Sequence, residues 1–85
     1  MNGITYKDEP IQKIYWSVYE FSDELHVEPS ALRFWEKYFH IRVKRNKHGN
    51  RKFDEATKEK FREVYFLLKV KKFKLEGALQ ELEGL

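Results

Sequence analysis

Between His40 and Phe53 the chain carries Arg42, Lys44, Arg45, Lys47, Arg51 and Lys52, with no carboxylate among them. That stretch is +6 in a chain whose formal charge is +3, so everything outside it sums to −3. A local cationic element on a near-neutral body is suited to an anionic partner. The main alternative is a solvated charge run with no ligand at all.

Residues for covalent or acid–base chemistry are scarce. Cysteine is absent, which removes a thiolate nucleophile, a thiolate zinc site and a disulfide scaffold together. The serines are Ser17, Ser22 and Ser30, none in a G-x-S-x-G setting. There is no G-x-x-x-x-G-K phosphate loop, and His26, His40 and His48 do not form H-E-x-x-H. The adjacent carboxylates Asp23–Glu24 and Asp54–Glu55 read as a helix face and a helix start rather than acid/base pairs. An enzyme, a metal site and a bound cofactor are therefore not expected. No apolar run approaches the roughly 18 residues of a membrane span, and no signal peptide is recognisable at the start.

The cations need elements to position them. An 85-residue chain is one domain, and its 16% aromatic content can build a core despite 36% charged residues. Residues 1–14 lack a clear period and read as a flexible arm, with room for a short strand at 14–16. Ser17-Val18-Tyr19-Glu20 is a capping box that starts a helix over 17–25, with Val18, Phe21 and Leu25 at helical spacing. After a break at His26–Glu28, Pro29 suits the first position of a second helix, 29–39, with Glu28 as its cap. Leu32, Trp35 and Phe39 fall on one side of it. Ser30, Arg33, Phe34 and Lys37 fall on another.

The period then changes from 3.6 to 2. Ile41, Val43 and Arg45 alternate with Arg42 and Lys44, Asn46–Asn50 is turn-rich, and Arg51–Phe53 returns, which predicts a basic β-hairpin within 41–53. Gly49 supplies a positive φ for the turn. Asp54 caps a long helix, 54–71, with Phe61, Val64, Tyr65 and Leu68 as its main stripe and Phe66, Leu67 and Val70 as a second apolar face. Leu75, Ala78, Leu79 and Leu82 pattern a last helix, 75–83. Helix, tight turn, helix and basic hairpin in that order predict a winged helix-turn-helix. The second helix would present Ser30, Arg33, Phe34 and Lys37, with Ala31 beside them, and the hairpin would lie along phosphates.

The residues also resemble a known family. Leu32-Arg33-Phe34-Trp35-Glu36 is similar to the L-R-Y-Y-E or I-R-F-W-E core of the mercury-resistance-regulator (MerR) family. Ser17–Phe21 resembles its S-I-G-E-V/L opening, and Val27-Glu28-Pro29-Ser30 its V-S-P-x turn. Gly49–Phe53 resembles its G-x-R-x-Y wing end, and Phe73–Ala78 its F/Y-S/T-L-E-E/G-I/A joint. The resemblance covers about 15–85. It departs at Phe34, which lacks the hydroxyl of the family's aromatic, at Lys71-Lys72, where glycine is usual, and at Lys74, where serine or threonine is favoured.

The resemblance implies a mainly α, winged-helix DNA-binding domain of a cytoplasmic, nucleoid-associated transcription regulator, here without a sensor domain. It implies DNA contact by Arg33 and Arg51. The full expected set is Ser30, Arg33, Phe34, Lys37, Arg42, Lys44, Arg45, Lys47, Arg51 and Lys52 on double-stranded DNA. Glu36 is expected as an internal partner for a wing cation. A homodimer is expected only in a longer chain with a C-terminal coiled-coil helix. Two other readings are an excisionase-like architectural factor and a protein-interaction module docking through Phe66, Leu67 and Val70.

Overall fold

Residues 13–84 are described in the computed structural model, so the expected arm lies outside the described residues apart from Lys13 and Ile14. The capping box forms as the sequence predicts. The Glu20 amide donates to Ser17 Oγ at 3.1 Å, and the Ser17 amide donates to Glu20 Oε1 at 2.9 Å. It opens α1, Val18–Leu25. The helix closes without glycine. His26 adopts φ 61°, its amide donates to the Asp23 carbonyl, and the Val27 amide reaches the Ser22 carbonyl at 3.0 Å. This is a Schellman closure with histidine in the left-handed position.

Helix α2, Pro29–Tyr38, begins on its proline. The expected side-chain cap from Glu28 does not form. The glutamate side chain is one methylene longer than the aspartate that suits this position. Proline's fixed φ starts the helix instead, and the Glu28 carbonyl accepts from Ala31 at 2.9 Å. The far end repeats the closure of α1, with His40 at φ 56° and the Ile41 amide on the Glu36 carbonyl.

The hairpin is shorter than its alternating pattern suggests. Only β1, Lys44–Arg45, and β2, Arg51–Lys52, pair, antiparallel, with Lys44 opposite Lys52 and Arg45 opposite Arg51. Asn46 organises the five-residue loop: its Oδ1 accepts from the His48 and Asn50 amides at 2.9 and 3.0 Å. Gly49 takes the expected positive φ, 83°. Ile41 and Val43 leave the ladder, Ile41 to close α2 and Val43 to enter the core. Phe53 pairs across the fold with Trp16, each amide donating to the other's carbonyl at 2.8 Å. The short strand for which the sequence left room at 14–16 is thus reduced to a single bridge, at Trp16.

Asp54 opens α3, Glu55–Tyr65. The expected α-helix to residue 71 changes character at Phe66–Val70, which is π-helical and ends with the Lys71 amide on the Phe66 carbonyl. A wider turn rotates the side chains that follow it. Of the second apolar face, only Leu67 is buried, while Phe66 and Val70 are 50% and 58% exposed. Lys72, at φ 62°, leads to α4, Leu75–Leu82, and Lys74, the N-cap residue before it, makes no side-chain cap.

Phe21, Phe53 and Phe61 are fully buried, with ring centroids 5.2, 6.0 and 5.4 Å apart pairwise. Leu32, Trp35, Phe39, Val43, Val64, Leu67 and Ala78 complete the core around them with Val18. One charged residue joins it. Lys58 is buried, with Nζ 3.5 Å from the Trp16 ring centroid, 3.0 Å from Glu24 and 3.5 Å from Glu55. Arg62 binds Glu24, Glu55 and Glu59 at 2.8, 2.9 and 3.1 Å. Arg62 first, and Lys58 second, hold the Glu24 carboxyl below its ordinary pKa. These pairs tie α1 to α3 and so fix the brace behind α2.

The Asp54 cap is titratable. Thr57, through its hydroxyl and its amide, and then Lys44 lower the Asp54 pKa from 3.8 to about 2. A carboxyl depressed on folding stabilises the fold fully above its unfolded pKa and loses that contribution as pH falls through the folded one. Asp54→Asn keeps a competent cap but does not titrate. Its stability deficit relative to wild type is expected to be constant above about pH 5 and to vanish between pH 4 and 2. Urea melts of both proteins over that range check this. Asp54→Ala, which has no cap, is expected to lose about 1 kcal/mol at neutral pH.

Candidate nucleic-acid interface

The hairpin register sets two cations directly against two others, Lys44 against Lys52 and Arg45 against Arg51. Like charges opposed across a ladder are destabilising. Each pair is met by groups from outside the hairpin. On the arginine face stands Glu36 of α2, 16% exposed at its side chain. Its Oε1 accepts from Arg51 Nε at 2.5 Å and its Oε2 from Arg45 Nη2 at 3.2 Å. On the lysine face, Asp54 takes Lys44 at 3.1 Å, and the Tyr15 ring lies 4.3 Å from Lys52 Nζ and 5.8 Å from that of Lys44. The bond from Asp54, with Tyr15 next, raises the Lys44 pKa. Lys44 thus keeps its charge at any ordinary pH.

Glu36 therefore plays the internal part expected of it. It links the hairpin to the helix beside it through both wing arginines. Arg33 does not compete for this carboxylate. Its Nη2 donates to the Tyr19 hydroxyl of α1 at 3.4 Å, and its guanidinium carbon lies 5.9 Å from the Tyr19 ring centroid.

Ser30, Arg33, Phe34 and Lys37 are all exposed, on the side of α2 opposite buried Leu32 and Trp35. Phe34 is 48% exposed, with its ring 5.6 Å from Tyr38. Arg33, Arg51 and Lys52 line one cleft between α1, α2 and the hairpin. Tyr15, the start of α1 at Ser17–Tyr19, and Asn50 complete it. Ser30 and Phe34 line a neighbouring groove along the helix-turn-helix bend, which Tyr19 also borders. Lys47 is exposed in the hairpin loop, and Lys44 and Arg45 are exposed on β1.

Arg42 is the outlier of the expected set. It lines a separate cleft with His40, Lys60, Glu63 and Leu82, on the side of α3 and α4. Tyr19 and Tyr15 border the cationic cleft and were not singled out from the sequence. The available signal for Tyr19 was an aromatic set off the Val18, Phe21 and Leu25 stripe, and it is 65% exposed. Among the described residues, Arg33, Lys37, Arg42, Lys47 and Lys52 make no ion pair. Within the expected set, these are the cations that no described carboxylate already holds.

Among the described residues, no three histidine, aspartate or glutamate side chains gather as a metal site would require, and no helix is long and apolar enough to cross a membrane. A search of curated proteins finds no match to the chain. A family model does match, described as the MerR HTH family regulatory protein, over residues 16–85. That span takes in α1, α2, the hairpin, α3 and α4, and with it every cation of the cleft. A basic wing locked by Glu36 to an exposed helix face, inside a match that runs through all the described elements, has one reading: the chain belongs to the MerR HTH family, whose members are DNA-binding transcription regulators.

Proposed function

We propose that residues 15–85 act as a sequence-specific duplex DNA-binding module, with α2 in the major groove and the hairpin along the flanking backbone. The observation that carries this reading is the exposed row Ser30, Arg33, Phe34 and Lys37 beside a hairpin that holds cations alone. Arg33, Lys37, Lys47 and Lys52 supply affinity by displacing counterions from phosphates. Arg51 and Arg45 add to it with the guanidinium nitrogens that Glu36 leaves free. Lys44 adds its charge while held by Asp54. Ser30 and the apolar Phe34 face base edges and sugars, where direct readout of sequence takes place. Arg42 stands to the side and contributes long-range attraction. In this reading the regulator has no sensor domain in this segment, and two copies pair only in a longer chain with a coiled-coil helix.

The test is a binding titration on a mixed-sequence duplex over a salt series, with circular dichroism as the folding control. Wild type is expected to bind with a steep salt dependence. Arg33→Ala and Arg51→Ala are each expected to weaken binding about fivefold and to flatten the slope of log affinity against log salt by about one unit. Neither belongs to the apolar core, so both variants are expected to keep the wild-type spectrum. Folded variants that bind as wild type does would place the interface elsewhere on the molecule. The exposed Phe66 and Val70 would then be the next surface to examine, as part of a protein-docking module.

A further inference from the structure

Tyr19 is a large aromatic left 65% exposed on α1, yet its hydroxyl is not idle. It accepts a hydrogen bond from Arg33 Nη2 at 3.4 Å while its ring lies under the same guanidinium, 5.9 Å away. A phenol can accept and also donate one hydrogen. With Arg33 donating into the oxygen, the phenolic hydrogen remains to be given elsewhere. The guanidinium is always charged and polarises that O–H, which makes it a stronger donor to an anion.

The surroundings fix which way an anion would come. Tyr19 and Arg33 form one wall of a cleft whose opposite wall is Asn50, Arg51 and Lys52 of the hairpin. Among the described residues, no carboxylate lines this cleft. The carboxylate nearest in sequence to Arg33 on α2, Glu36, is already taken by Arg45 and Arg51. We propose that Tyr19 and Arg33 act as one unit that seats a single backbone phosphate of duplex DNA, with the Tyr19 hydroxyl donating to the phosphate and holding Arg33 in place for it. This rests on the DNA-binding reading and adds to it a neutral donor on the first helix, which charge counting on the second helix and the wing does not find. Tyr19 also lies at the mouth of the groove that holds Ser30 and Phe34, so the seated phosphate registers α2 against the base edges.

The experiment compares wild type, Tyr19→Phe, Arg33→Ala and the double variant on the same mixed-sequence duplex over a salt series. Tyr19→Phe keeps the ring and removes only the hydroxyl. It is expected to weaken binding roughly three- to tenfold, the ordinary net worth of one hydrogen bond at a site open to solvent. Its salt slope should stay at the wild-type value, because a neutral donor releases no counterion, whereas Arg33→Ala should flatten the slope by about one unit. In the double variant the hydroxyl's contribution should shrink to less than half, since the two residues act on one phosphate. Wild-type affinity in Tyr19→Phe, or full additivity with Arg33→Ala, overturns the proposal while leaving DNA binding intact. Failure of wild type to bind the duplex at all overturns the DNA reading, and the proposal with it. A thermal melt unchanged in Tyr19→Phe shows that the loss arises at the interface.

Discussion

Phe53→Ala is expected to leave the domain largely unfolded at 37 °C. Phe53 is fully buried, and its ring lies 5.2 Å from that of Phe21 and 5.4 Å from that of Phe61. Removing a buried phenylalanine side chain costs about 3–5 kcal/mol. A chain of this length has a total stability of roughly 4–13 kcal/mol. The loss therefore takes about a quarter or more of what is available, and about 12–40 °C of melting temperature. Phe53 also ends the hairpin and pairs by backbone with Trp16, so the same substitution loosens the wing at its base. Phe53→Leu refills most of the space and is expected to cost no more than about 2 kcal/mol. Urea and thermal melts of the two variants distinguish packing from backbone pairing. A Phe53→Ala protein within 1 kcal/mol of wild type would contradict the core described above.

Local rules carried the sequence reading where one residue decides the outcome alone. Ser17 with Glu20, Pro29, Gly49 and Asp54 act within a few residues of themselves, and each start or turn formed where it was expected. The helix ends were harder. The usual sign is glycine, and here His26, His40 and Lys72 take the left-handed position instead. Lys58 escaped notice because a lysine is discounted from an apolar stripe. It lies one turn before Phe61, and Trp16, Glu24 and Glu55 together make its burial tolerable. Glu55 is its i−3 neighbour, but Trp16 and Glu24 cannot be read from the neighbourhood of residue 58. The π-helical turn at Phe66–Val70 has no residue signature, so three apolar residues looked like one face when only Leu67 packs inward.

The site divides in the same way. The outward row on α2 follows from helical spacing, and it is exposed as expected. The charge run at 42–52 was plain, but its register was not. Which cations oppose each other depends on a loop of five residues tied by Asn46. Only the pairing reveals that the hairpin carries two repulsive pairs needing outside partners. Glu36 could be guessed as one partner because it is the sole acid of the second helix proper. Tyr15 and Tyr19 could not, since each acts on a cation far along the chain.

The Glu36 junction yields a result opposite to simple charge counting. Glu36→Gln raises the formal charge from +3 to +4, and a more cationic protein should bind a polyanion more tightly. We expect the variant to bind duplex DNA roughly tenfold more weakly, because phosphate contacts position a protein only when the cations are held where the phosphates are. A neutral amide cannot match the charge of two guanidiniums, and one of its two terminal groups is a donor facing other donors. Arg45 and Arg51, opposed across the ladder, would then repel without a counter-charge, and the wing would lose its tie to α2. The expected stability loss is only about 1–2 kcal/mol, since the pair is partly solvated and the core is untouched. Folded protein with a disordered wing should show as fast hydrogen exchange confined to residues 44–52. Glu36→Asp sharpens the comparison: it restores the charge but is one methylene too short to reach both arginines, and it should recover only part of the affinity. Tighter binding by Glu36→Gln would mean that Glu36 merely repels DNA, and that the wing holds its position through Phe53 and Trp16 alone.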